Sequence, residues 1–128
     1  MEFVEVPTDT IKGSIQFFCQ KLGAQLVEQT DHFAHLHFYE QEIIFHFDPT
    51  YREQNRSSYF TFVLPDEGAF VNIYKTCDGD SSIEMLRQLR DLVGHVPQKA
   101  FTVKGVSGHQ FEFRYYLDPN LSVAGHDE

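Results

Sequence analysis

A chain of 128 residues is long enough for one domain, spanning 1–128, that buries roughly two-thirds of the surface exposed by its unfolded form. Its formal charge of -9 at pH 7, with 10 scattered basic residues against 19 acidic ones, argues against a nucleic-acid backbone or an anionic membrane as partner. With 13 Phe, no Trp and 41% hydrophobic residues, the chain should fold around an aromatic core.

The first residues alternate up to Pro7, so they predict a short strand with Val4 and Val6 on one face and Phe3 and Glu5 on the other. Thr8, Asp9 and Thr10 offer N-cap side chains. Apolar residues at Ile11, Ile15, Phe18 and Leu22 then trace one face of an amphipathic helix that stops at Gly23. A strand over 24–29 follows, and 33–48 reads as a hairpin turning near Glu40 and Gln41. In it Ala34, Leu36 and Phe38 share one face while His35 and His37 share the other; Ile43, Phe45 and Phe47 likewise oppose Glu42, Ile44, His46 and Asp48.

The polar segment 48–58 predicts a long loop, and 59–64 a strand with Phe60, Phe62 and Leu64 opposite Tyr59, Thr61 and Val63. Residues 69–76 fit either a returning strand or a short helix, and Val71, Ile73 and Tyr74 favour the strand. After a cap-like segment at 78–82, the spacing of Ile83, Leu86, Leu89 and Val93 predicts a second helix up to Gly94. A closing hairpin over 101–117 turns at Gly105 to Gly108, with Phe111, Phe113 and Tyr115 opposite Glu112 and Arg114, and 118–128 is expected to be a loose tail. A weak echo of 3–23 in 70–94 suggests half-repeats over 1–48 and 59–120.

If the apolar strand faces pack on two helices, the opposite face collects Glu5, His35, His37, His46, Glu42, Tyr59, Thr61, Glu112 and Arg114. Imidazoles and carboxylates projected from rigid strands are the donors that hold Zn, Fe, Mn or Ni, so this face could take a divalent metal. Alternatively the histidines are ordinary polar residues of a solvated sheet. The His35–His37 spacing is similar to the first cupin motif, but the flanking glycines and a second motif are missing. Cys19 and Cys77 stand in dissimilar contexts and are expected as free thiols; no signal-like or membrane-spanning run is present, which makes the cytoplasm the expected compartment.

Two stretches resemble the vicinal oxygen chelate superfamily, which includes glyoxalase I, extradiol dioxygenases, fosfomycin resistance enzymes and bleomycin-binding proteins. SIQFFCQKLGAQLVE, from Ser14 to Glu28, is similar to that family's helix ending, and GHQFEF, from Gly108 to Phe113, to its closing strand. The resemblance implies an α+β fold of paired βαβββ modules, a curved mixed sheet forming a cup with two helices outside, and a homodimer. It also implies that Glu112 is a metal ligand, while the family's two metal-binding histidines fall at Phe3 and near Tyr59. Glu5, His46 and Glu112 would be a substitute metal set, and Glu5, His35, His37, Tyr59, Thr61 and Arg114 would line a ligand site.

Three functions are compatible with these residues. The favoured one is a small-molecule-binding protein of glyoxalase or bleomycin-resistance type, taking a cationic or aromatic ligand by stacking and cation–π contacts. The second is a divalent-metal-dependent lyase, isomerase or dioxygenase with the metal as Lewis acid. The third is an acidic interaction or inhibitor module.

Overall fold

A computed structural model of the chain describes residues 2–51, 58–92 and 97–117. The predicted loop's centre, the end of the predicted second helix and the C-terminal tail lie outside these residues. The chain forms two compact units: residues 1–60 with 105–110, and residues 61–104 with 111–128. The architecture is α+β, with two four-stranded sheets in place of one continuous curved sheet.

In the first unit β1 (Glu2–Thr8), β2 (Gln25–Gln29), β3 (Phe33–Phe38) and β4 (Gln41–Phe47) form a mixed sheet of order β1-β4-β3-β2. β1 runs parallel to β4, whereas β2–β3 and β3–β4 are antiparallel. The parallel pair needs a crossover, supplied by the helix α1 (Ile11–Ile15) and its π-helical continuation Gln16–Lys21. Thr10 caps it, accepting from the Gly13 amide at 2.9 Å. The π turn alters the helical period, so Phe17 and Phe18 are both buried while Ile15 is only half-buried. Phe18 meets Phe38 and Phe45 at centroid separations of 5.3 and 5.7 Å, which fastens the helix to the apolar face of the hairpin.

The segment 105–110 joins this unit through a small polar knot. The buried Ser107 hydroxyl donates to the Asp9 carboxylate at 2.6 Å and accepts from the Asp9 amide at 2.9 Å. Ser107 pays for that reach with a left-handed backbone, φ 57°. Buried His109 donates from Nε2 to the Pro7 carbonyl at 2.5 Å, and its ring packs on Tyr51.

The second sheet is built from β5 (Tyr59–Val63), β6 (Met85–Leu92), β7 (Gln98–Lys104) and β8 (Gln110–Tyr116), in the order β5-β8-β7-β6. This is the first sheet's order with every label raised by four. The second helix is α2 (Glu67–Asp78), not the 83–94 segment. Asp66 caps it by accepting from the Ala69 amide at 2.8 Å, and Phe70, Ile73 and Cys77 form its buried stripe. The strand-forming residues at 71–74 thus yield to a cap and a 3.6-residue period. Met85–Leu92, rich in helix formers, is instead an edge strand held antiparallel to β7. The expected cap before it is a turn around Asp80, whose Oδ1 accepts from the Ser82 amide and hydroxyl at 2.9 and 2.6 Å.

Phe18 and Phe3, both in the first unit, give opposite expectations for truncation. Phe18→Ala, at a fully buried site, should lower unfolding free energy by about 3–5 kcal/mol in urea titrations. Phe3→Ala, at a site 60% exposed, should change it by less than about 0.5 kcal/mol.

Candidate functional site

Period-2 alternation places the polar side chains of each sheet opposite its aromatic packing face. On the first sheet, strand pairing sets His37 opposite Glu42 and His35 opposite Ile44. Glu42 is 6% exposed and sits between the two imidazoles, its Oε1 2.6 Å from His35 Nε2 and its Oε2 2.5 Å from His37 Nδ1. A carboxylate only accepts, so each ring donates to it and turns its other nitrogen's lone pair away. Hydrogen bonding from His37, then from His35, holds the Glu42 carboxyl below the usual glutamate range. Glu5 on β1 and His46 on β4 form a separate exposed pair at 3.0 Å. Phe3 lies on the same strand as Glu5, with its ring centroid 6.4 Å from that of His35. Tyr59 is exposed at the start of β5.

The polar face of the second unit has a different chemistry. Glu112 on β8 is 2% exposed, and both its oxygens meet guanidinium groups. Oε1 accepts from Arg114 Nε at 2.9 Å and from Arg114 Nη2, and also from the Thr61 hydroxyl at 3.2 Å. Oε2 accepts from Arg90 Nη2 at 2.9 Å. Arg114 Nη1 donates onward to Gln98 Oε1 at 2.7 Å. Glu112 is therefore a buried carboxylate clamped by two arginines, with one surplus positive charge.

The structure brings His35, His37 and Glu42 together, and separately Thr61, Glu112 and Arg114. Arg90 and Gln98 were not anticipated. No local signal marks Arg90, because the segment carrying it has the composition of a helix.

Solved structures with this architecture include a glyoxalase/bleomycin resistance protein/dioxygenase from Alicyclobacillus acidocaldarius. It is 20% identical, with a TM-score of 0.76 over 93% of this chain and 92% of that one. The chain has the vicinal oxygen chelate fold. Lactoylglutathione lyase from Agrobacterium tumefaciens shares this fold at 12% identity and a TM-score of 0.69, covering 90% of this chain and 92% of the other. So does the bleomycin-binding protein of Streptomyces verticillus, complexed with copper(II)-bleomycin, at 12% identity and a TM-score of 0.66 over 87% and 91% of the two chains. No family model matches the sequence, and no curated protein matches it.

Members of this fold group such as glyoxalase and the dioxygenases typically use divalent metals, so the donor set here can be compared with that chemistry. At the three positions where the resemblance puts ligands, Phe3 offers no donor, Tyr59 only a phenol, and Glu112 a carboxylate engaged by two cations. Those residues do not fit a divalent ion of that kind. Of the substitute set, Glu5 and His46 pair with each other in the first unit and Glu112 is clamped in the second. Among the described residues, no three His, Cys, Asp or Glu side chains are grouped so as to hold a metal ion.

The carboxylates should respond very differently to change. Because Glu42 titrates lower folded than unfolded, its stabilisation is complete above about pH 4.3 and lost as pH falls through the folded value. Glu42→Gln should flatten that acid limb in denaturation measured as a function of pH; parallel curves would contradict the assignment. Glu112→Gln, which strands two partly buried guanidiniums, should cost about 3 kcal/mol. Glu5→Gln, in an exposed pair, should cost no more than about 1 kcal/mol.

Proposed function

We propose that the protein is a small-molecule-binding protein of the glyoxalase/bleomycin-resistance type, working without a bound metal. The observation that carries this reading is the clamp on Glu112. The carboxylate at the position of the family's metal ligand already has its positive partners, supplied by the chain itself. The bleomycin-binding neighbour offers a precedent for ligand binding on this fold. The ligand-facing residues in this reading are Glu5, His35, His37 and Tyr59 in the first unit, and Thr61 and Arg114 in the second. Exposed Phe3 and Tyr59 add flat apolar surface on which a ring could stack.

We also infer a cytoplasmic homodimer. The edge strands support self-association, since β2 exposes Leu26 and Val27 and β6 exposes Leu86 and Leu89. No helix among the described residues is long and apolar enough to cross a membrane.

A thermal-shift screen of small organic molecules in the presence of a chelator tests the binding reading, with elemental analysis of untagged protein alongside. Saturable stabilisation by an organic ligand and substoichiometric metal are expected. Stoichiometric tightly held metal, or ligand binding that requires added metal, would replace this reading with the metal-dependent one. Sedimentation at several protein concentrations should give twice the 14.9 kDa chain mass.

A further inference from the structure

The arginine clamp is more than a substitute for a metal. Arg90 donates to Glu112 from Nη2 at 2.9 Å and reaches the buried Thr102 hydroxyl at 3.4 Å from the same atom. Its Nε and Nη1 are buried and have no hydrogen-bond partner among the described residues. A guanidinium carries five N–H donors in one plane; Nε and Nη1 lie on different edges of it, so each offers its own hydrogen bond to an oxygen of a carboxylate or phosphate. Buried donors of a permanent cation are strongly unfavourable unless an acceptor meets them.

Glu112 is not that acceptor, because it meets Arg90 at Nη2 and leaves Nε and Nη1 without a bond. The nearby Asp91 is paired with Lys99 at 3.4 Å. One carboxylate between two guanidiniums leaves the cluster with a net positive charge, although the whole chain is at -9. The position of Arg90 is at the margin of the sheet. It lies on β6, an edge strand, and the β6–β7 register shifts between Arg87 and Arg90, an irregularity of the kind that re-aims side chains. Its side chain is 19% exposed, so the guanidinium lies close to solvent.

We propose that Arg90, with Arg114 beside it on the Glu112 carboxylate, binds an oxyanion: the carboxylate or phosphate group of the small molecule. This rests on the binding reading above and sharpens it, assigning the anionic part of the ligand to the second unit. Glu112 acts as the positioning residue, holding both guanidiniums on one face of the sheet. Arg114 contributes charge, while Arg90 contributes the N–H donors that no described residue meets.

The experiment is a titration of the full chain with inorganic phosphate and, separately, with acetate, at ionic strength fixed by chloride. Unfolding temperature and the Arg side-chain Nε–H resonances in nitrogen-15 spectra are followed together. The two anions distinguish a phosphate from a carboxylate preference. Saturable stabilisation by at least one of them, with a shift of the Arg90 Nε–H signal, is expected. Arg90→Lys keeps a cation on Glu112 but removes the Nε and Nη1 donors, so it should bind about tenfold more weakly, equivalent to about 1.4 kcal/mol. Arg87→Gln, an exposed change on the same strand, should leave binding unaltered.

No saturable response beyond the chloride control, or an unmoved Arg90 signal in the wild-type protein, overturns the proposal even if the lysine variant fails to fold. Unchanged affinity in a folded Arg90→Lys protein does the same. Organic ligands that bind equally to wild type and Arg90→Lys would sink this assignment and leave the binding function standing. Anion binding without any organic ligand would do the reverse.

Discussion

Burying a carboxylate almost completely in a sheet is tolerable only if its charge is met at both oxygens, and the second unit is arranged around that requirement. Glu112 projects from β8 beside Arg114, two residues along the same strand, while Arg90 comes from the edge strand β6. The guanidiniums approach from different elements, so the clamp ties β6 to β8 across β7. A divalent cation would satisfy Glu112 as well, but it would have to displace charges covalently fixed to the chain. The charge of Glu112 is therefore already met by groups of the chain itself.

The first unit solves a similar problem with weaker bases. Glu42 is nearly as buried as Glu112, yet its partners are the imidazoles of His35 and His37. The matching strand orders of the two sheets make this contrast informative. The same topology offers a carboxylate on a polar face twice, once set between imidazoles and once between guanidiniums. The imidazole-backed site keeps ring lone pairs that can accept a proton, whereas the guanidinium-backed one can only donate hydrogen bonds. Their chemistry differs in kind: imidazoles surround the carboxylate in one unit and guanidiniums in the other.

What was legible in the sequence follows from what alternation and periodicity encode. The faces of β1, β3, β4, β5 and β8 were readable because Phe and Ile alternate with polar residues there, and the Thr10 cap with Gly23 marked the first helix. The π turn within that helix left no comparable mark. The second helix was misplaced because Val71, Ile73 and Tyr74 have strand propensity, while Asp66 and the spacing of Phe70, Ile73 and Cys77 carried the decisive signal. Met85–Leu92 failed for the converse reason: local preference lost to cross-strand pairing with β7. That error also concealed Arg90. A residue assigned to a helix cannot be placed opposite Ala100, and so cannot be seen to reach Glu112.

The aromatic packing explains why such different polar faces can occur on one fold. Phe18 with Phe38 and Phe45 in the first unit, and Phe70 with Phe101 and Tyr115 in the second, fix each helix on one side of its sheet. Strand geometry then dictates that the intervening residues emerge on the other side. A substitution at one of those outward positions changes the chemistry of a face without touching the core beneath it. Low sequence identity to neighbours of the same fold is the expected result, because the packing face needs only bulk and shape while the outward face is free to vary. Function must accordingly be argued from the residues on those faces. In this chain those residues include the two arginines that hold Glu112.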